Sequence, residues 1–414
     1  YYQGDEKKYI IVTQLEEREA RKVFPCLDHP QFKAPIKITV EIPSELTAIS
    51  NQPIESEKQT KNGTKIVSFK KTPPMCTYTA FIGIGDFEYL SDEEKKPLTR
   101  VVGPPGRIKY GKFGLEVAQK CMKEMVDYTG VPYPLEKCDH IAVQDFAFGA
   151  MENWGAVTYR ENILLVYPDQ TTKENKTRIA EVIIHEISHM WFGNLVSPVD
   201  WKYIWLNESF ASFFMYHVTD VIFPAWEVWE DFYISDYLGG MERDAYRKTH
   251  PIELMGDKEF SIDSSTTPII YDKGASVLRM LIAYLGEPTF KKACQVFLNR
   301  HKYESISTKE YWQVFNEVSD KPVDDFVDTW VYQGGFPYLK ATLSENGQKL
   351  TVTQQRFTFL DESREEEPLW LVPLSIKWLF DDKEPKIDVY TMKDKQYNVE
   401  VPENAKGFVI NANR

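Results

Sequence analysis

The chain has 414 residues, with 62 acidic side chains against 49 basic ones and a formal net charge of −13. At about 150 residues per domain this length makes room for several domains, and 43% hydrophobic with 14% aromatic residues exclude a disordered polymer. The acidic balance, with no basic patch to neutralise phosphates, excludes nucleic acid as the expected partner. No apolar run reaches the roughly 18 residues of a membrane span, and no charged-then-apolar leader heads the chain, so a soluble globular protein is expected.

In chain order, residues 1–95 read as β. Ile10, Ile11, Val12 and Thr13 form a short apolar run, and Ile36, Ile38, Val40 and Ile42 alternate with Lys37, Thr39 and Glu41, the period of a half-buried strand. Asn62-Gly63 reads as a hairpin turn before a strand at 66–69, and 78–85 supplies another. The charged stretch 91–96, followed by Gly103-Pro104-Pro105-Gly106, marks a boundary. From residue 111 the pattern becomes helical. Leu115, Ala118, Met122, Met125 and Val126 fall three and four apart, and the helix is expected to end near Gly130. Short strands are expected at 141–143 and 156–160, with helices dominating 172–330. The end returns to β: 338–343, an Asn346-Gly347 turn, 350–353, then 371–380 and 387–390. The acidic run 361–367 reads as a solvated loop.

Five cysteines, Cys26, Cys76, Cys121, Cys138 and Cys294, form an odd, widely spaced set without a C-x-x-C pair. That fits free thiols in a reducing compartment, and a cytoplasmic location is expected. Sequons at Asn62, Asn175 and Asn207 are short enough to arise by chance. A start at Tyr1 rather than Met, running almost at once into a strand-like segment, reads as a piece of a longer chain.

Residues 180–194 contain His185-Glu186-Ile187-Ser188-His189. On a helix, positions i and i+4 share a face one turn apart, so both imidazoles reach one metal ion, and Glu186 beside the first can face a metal-bound water. Ile179, Val182, Ile183 and Ile187 keep an apolar stripe, and Gly193 is placed to end the helix. The plain alternative is two helical histidines without metal, which would need polar partners on a largely apolar surface. A catalytic zinc takes three protein ligands and keeps one position open. Eighteen residues separate His189 from Glu208, which lies just before an apolar stretch at 210–218 that reads as a second helix. A lone glutamate there is ordinarily a helix-dipole contact. Beside the histidine pair it is the third-ligand candidate.

This His-Glu-x-x-His element, the eighteen-residue gap, the glutamate of Trp205-Leu206-Asn207-Glu208-Ser209 and the pentapeptide Gly149-Ala150-Met151-Glu152-Asn153 resemble the zinc aminopeptidases of the alanyl, puromycin-sensitive and leukotriene-hydrolase family. The pentapeptide is specific to that group, whereas the histidine pair alone says only metallopeptidase. The resemblance covers nearly the whole chain and extends to Phe24-Pro25-Cys26-Leu27-Asp28 and Tyr271-Asp272-Lys273-Gly274-Ala275. The Asp28-His29-Pro30 variant is similar to the archaeal tricorn-interacting-factor aminopeptidases. The implied fold is α+β and multidomain. It comprises a partial N-terminal β domain at 1–95, a thermolysin-like α/β zinc catalytic domain at 96–335 and a small C-terminal β-sandwich at 336–414. The family's extreme N-terminal part and its C-terminal helical domain are expected to lie outside this chain.

The resemblance also implies roles. One Zn2+ per chain would be held by His185, His189 and Glu208, with Glu186 as general base. Glu152 would hold the substrate α-ammonium, helped by Glu16 of Gln14-Leu15-Glu16, whose plain alternative is a surface charge beside Glu17 and Glu19. The backbone around Gly149 and Ala150, within the stretch that continues through Met151 and Asn153, would pair with the substrate. Tyr271 would donate to the oxyanion, and its plain alternative is a core aromatic at a helix start. The expected partners are peptides with a free N-terminus, with no nucleic acid and no membrane. An endopeptidase with the same zinc site, the family's epoxide-hydrolase branch and an inactive scaffold that captures peptide N-termini are the alternatives. His29, His140, His217, His250 and His301 read as ordinary polar sites, and the aromatics of 201–214 as core.

Overall fold

Alternating apolar side chains make the N-terminal residues pair as strands. The computed structural model of the chain describes residues 2–3, 6–254, 256, 263–360 and 367–412. The chain divides into two units, Tyr1–Glu230 with Cys294–Tyr311 and Asp231–Ala293 with Trp312–Arg414.

In the first unit, Thr39–Pro43, Thr64–Phe69 and Ile54–Gln59 form one antiparallel sheet, and Ile11–Val12, Ile82–Gly85 and Thr47–Ser50 form another. Ile42, Ala48, Val67 and Phe69 share a core, packed by Val40 and Ile84. The Asn62-Gly63 turn is present, with Gly63 at φ +73°. The strand expected at 36–42 begins only at Thr39, after a separate short pairing of Ala34–Pro35 with Pro74–Met75. The strand expected at 78–85 is shorter still. Thr77–Thr79 is a 3-10 turn, and pairing starts at Ile82. The cause is the buried Asn51: its Nδ2 donates to Thr79 O and its Oδ1 accepts from Phe81 N, so a side chain replaces the ladder partners there.

A five-stranded sheet follows in the spatial order Glu88–Ser91, Leu98–Gly103, Lys137–Val143, Ala156–Arg160, Ala150–Met151. Its central pairings are parallel and its outer ones antiparallel. Every residue of Lys137–Val143 is buried. Sequence pattern shows only its apolar end at 141–143, because the other half is polar. Lys137 and Asp139 pair at 2.8 Å and Arg100 grips Asp139 with two bonds of 2.7 and 2.8 Å, which makes the burial tolerable.

Three helices complete the scaffold of this unit. Helix α1, Lys112–Thr129, is closed by Gly130 at φ +63°, whose N–H donates to Val126 O, as its spacing predicts. Helix α2, Lys173–Ser188, starts where Thr172 caps it by accepting from Asn175 N. It stops at Ser188 rather than near Gly193. Gly193, at φ +132°, instead belongs to the turn beyond and donates to Val196 O. Helix α3, Trp205–Ile222, is buried throughout residues 205–216. Trp201, Trp205, Phe210, Phe213 and Phe214 are core, as expected.

In the second unit, the helices Leu238–Asp244, Gly274–Leu285 and Val323–Trp330 precede two three-stranded antiparallel sheets. One orders Pro337–Leu343, Lys349–Arg356 and Gln396–Glu400, and the other Lys386–Met392, Val372–Leu379 and Gly407–Ile410. Trp370, Trp378, Leu350 and Ile376 are fully buried among them. The Asn346-Gly347 turn joins its hairpin with Gly347 at φ +71°. Of the acidic run 361–367 only Glu367 lies among the described residues, where it pairs with Arg247 at 3.2 Å. All five cysteines are free thiols. Among the described residues no helix is long and apolar enough to cross a membrane.

Candidate active site

Helix α2 delivers His185 and His189 to one place. Although His189 is already the C-cap, its backbone stays helical (φ −59°, ψ −22°), so the one-turn relation survives the early end of the helix. Helix α3 brings Glu208 in its first turn. His185 Nε2 lies 3.1 Å from His189 Nε2, and Glu208 Oε2 is 3.3 and 3.4 Å from these two nitrogens. On the far side of its ring, His189 Nδ1 lies 3.1 Å from Phe192 O. A carbonyl only accepts, so Nδ1 carries the proton and Nε2 keeps its lone pair for the cluster. Glu152 and Glu186 join from the other side, with ligand atoms of Glu152, Glu186 and His189 all within 4.8 Å of one another.

The cluster is rich in buried negative charge. Burial pushes the carboxyls of Glu16, Glu152 and Glu186 above the ordinary range, with the neighbouring glutamates adding to it. For Glu208 burial works in the same direction, but His189 and the hydrogen bonds from both histidines outweigh it and hold the group well below that range. Burial likewise disfavours charge on His189, yet Glu208 and Glu152 overcome it and lift its pKa to about 10, whereas burial lowers His185 to about 4. In physical terms the carboxylates favour positive charge at this spot. Glu16 Oε1, Glu152 Oε1 and Glu186 Oε2 are buried with no hydrogen-bond partner among the described residues. Two imidazoles and a carboxylate suit zinc and leave a position open, so the residues fit that ion.

Ala150–Met151 is an edge strand of the five-stranded sheet. Arg160 N donates to Gly149 O at 2.9 Å, and Ala150 sits opposite Tyr159. In an antiparallel ladder this alternation turns the N–H and C=O of Ala150 outward, to the free edge. Gly149 is exposed, Ala150 half-buried, and Met151, Glu152 and Asn153 buried. Asn153 Nδ2 donates to Thr158 Oγ1, Asn194 Nδ2 to Glu152 O, and Asn51 Nδ2 to Trp154 O. Gly155 closes this turn at φ +80°, and a Cβ there would stand 2.5 Å from Asn51 O.

Glu16 comes from the N-terminal β region, half-buried, and its charge interacts with Glu152 and Glu208. The first unit thus brings together every expected site residue except Tyr271, which lies half-buried in the second unit within Pro268–Lys273. The remaining histidines have ordinary surroundings. His140 is hydrogen-bonded to Tyr159 at 2.9 Å, His217 stacks on Phe213, His250 contacts Pro251 O, His301 pairs with Glu304, and His29 lies 3.6 Å from Asp200. Asn51, Tyr78 and Asn194, which brace the site, escaped the sequence reading because no spacing rule connects them to it.

A His–His–Glu donor set with a free carboxylate beside it is what a metal-dependent peptidase requires. Residues 113–330 match the Peptidase family M1 domain and residues 1–79 the Peptidase M1 N-terminal domain, and the chain belongs to peptidase family M1. It is 38% identical to probable aminopeptidase 2 of Sulfurisphaera tokodaii over 98% of its own length and 51% of that protein's. To aminopeptidase M1 of Arabidopsis thaliana it is 41% identical, over 91% of this chain and 42% of the relative. To leucyl aminopeptidase of Saccharolobus solfataricus it is 35% identical, over 98% and 50%. The chain spans about half the length of the curated relatives it matches.

Proposed function

We propose that this chain carries the catalytic core of a zinc aminopeptidase, which hydrolyses the N-terminal peptide bond of peptides. His185, His189 and Glu208 would hold one zinc ion, and bound zinc supplies a Lewis acid for the scissile carbonyl and an acidified water. The observation that carries the reading is the surplus of carboxylates. Hydrolysis needs one free carboxylate as base, yet Glu16, Glu152 and Glu186 each keep a buried oxygen without a partner among the described residues. A substrate α-ammonium offers donors and positive charge to two of them, through charge-assisted hydrogen bonds that are strong in a water-poor pocket.

Glu152 and Glu16 then anchor the amine. The substrate backbone adds to the outward N–H and C=O of Ala150, where Gly149 permits close approach. Glu186 takes a proton from the attacking water and passes it to the leaving amine, a task suited to a carboxyl whose pKa burial has raised. Tyr271 is retained as the oxyanion donor on the resemblance of Tyr271-Asp272-Lys273-Gly274-Ala275. The division into 1–95, 96–335 and 336–414 is supported by the family matches for the first two parts and by the two three-stranded sheets for a closing β-sandwich. Five free thiols support a reducing, cytoplasmic setting.

The test is zinc-dependent release of a chromophore from aminoacyl substrates, each beside its N-acetylated twin. Cleavage of only the free-amine forms, abolished by a chelator, is the expected result. Equal cleavage of blocked substrates would sink the amine anchor in favour of an endopeptidase. Peptide binding without turnover by the zinc-loaded protein would leave a capture scaffold.

A further inference from the structure

We infer that Tyr78 is a positioning residue for the metal centre, its hydroxyl joining the segment that carries His189 to the helix that carries Glu208. The inference rests on the zinc reading above.

Tyr78 belongs to the Thr77–Thr79 turn of the N-terminal β region, far in sequence from both metal-ligating helices, and is 1% exposed. Its ring lies edge-on to Trp201 at 5.1 Å between centroids, so the phenol has one direction in which to point. There Asn207 Nδ2 donates to the hydroxyl at 3.2 Å, and the hydroxyl donates onward to Gly193 O at 3.5 Å. Each neighbour is one residue from a group that sets the site. Asn207 precedes the ligand Glu208. Gly193 follows Phe192, whose carbonyl orients the His189 ring.

The three residues also fit without slack. A Cβ on Gly193 would meet Asn207 Cγ and Nδ2 at 3.1 Å and His189 Nδ1 at 3.4 Å, so the turn after α2 lies directly against the start of α3. Asn207 itself is 1% exposed, and without the phenol oxygen its amide N–H loses a buried acceptor. Two elements that supply ligands to one ion need a common reference, and the Tyr78 hydroxyl is bonded to both. Outer groups of this kind act by orienting ligands, and removing one typically lowers metal affinity 10- to 100-fold.

The experiment measures zinc affinity by chelator competition, alongside kcat, KM and the unfolding of the zinc-free protein. Variants are Tyr78→Phe, Asn207→Leu and the double variant. Tight zinc binding by the unaltered protein is required first, and its absence would overturn the zinc reading itself rather than the role of Tyr78. Given it, Tyr78→Phe is expected to lose about ten-fold or more in zinc affinity, with kcat falling more than KM rises and zinc-free unfolding changed little. Because the two side chains act through one bond, the double variant should lose no more affinity than the worse single one. Unchanged affinity in folded Tyr78→Phe, or losses that multiply in the double variant, overturns the inference. If Tyr78→Phe does not fold, Asn207→Leu decides the same question by its own zinc affinity.

Discussion

Glu186 stands beside the expected ligand set with an oxygen that finds no partner among the described residues, and Glu186→Gln preserves its shape while removing its capacity to carry a proton. Turnover is expected to fall by about 10²- to 10⁴-fold with zinc content unchanged. Measuring both on one preparation decides the role, since joint loss would make Glu186 a holding group. Glu152→Ala addresses one of the two proposed amine anchors. It removes a charge-assisted contact worth roughly 1.5–3 kcal/mol, so kcat/KM for free-amine substrates should drop by about 10- to 100-fold. Zinc content should be indifferent to that change, and a parallel loss of zinc would assign Glu152 to the metal instead.

At the level of elements, backbone geometry and buried polar groups decide what the chain tolerates. The turn that presents Glu152 depends on Gly155, where φ is +80° and a Cβ would lie 2.5 Å from Asn51 O and 2.8 Å from Leu135 Cδ1. Gly155→Ala should cost at least about 1–3 kcal/mol, read as a lowered denaturation midpoint. A variant as stable as the parent would mean that the turn rebuilds freely. His140 on the central strand is 0% exposed, and burial holds its pKa down to about 4. The unfolded chain takes up a proton near pH 6.5, whereas the folded chain does so only near pH 4. Stability from this group is therefore complete above pH 6.5 and is lost as pH falls towards 4, in all about 3 kcal/mol. His140→Gln, which can still bond Tyr159, should flatten the stability–pH slope in that window by about one proton. An unaltered slope would place that proton on another group.

For the molecule as a whole, metal and fold are linked. The expected ligands His185, His189 and Glu208 all belong to the first unit, and zinc at a hundred times its dissociation constant should add about 2.7 kcal/mol to the stability of the folded state that binds it. Thermal scans with zinc and with a chelator should differ accordingly for the transition of that unit. Coincident scans would mean that zinc does not select the folded site. The same unit tolerates the buried Lys137–Asp139–Arg100 group because Asp139 pairs with both cations and Lys137 also donates to Ser50 O and Gly155 O.

Local patterns were legible along the chain wherever both partners lie within a few residues. The spacing of Leu115, Ala118, Met122 and Met125 located α1, and Gly130 its end. The Asn-Gly pairs located two turns. The four-residue step from His185 to His189, then the gap to Glu208, located residues that the fold brings within hydrogen-bond distance. A helix and a hairpin close on themselves, so their signals are written in consecutive residues. What the tertiary structure decided involves distant partners. The polar half of Lys137–Val143 is a central strand because Arg100, 39 residues away from Asp139, neutralises it. The stretch before Ile82 leaves the ladder because Asn51 supplies its hydrogen bonds. Helix α2 stops at Ser188, before Gly193, and the turn beyond it lies against Asn207. Composition and period determined the elements and the ligand types. Long-range hydrogen bonds between buried polar groups, which leave no periodic trace, decided where those elements end and how the ligands are held.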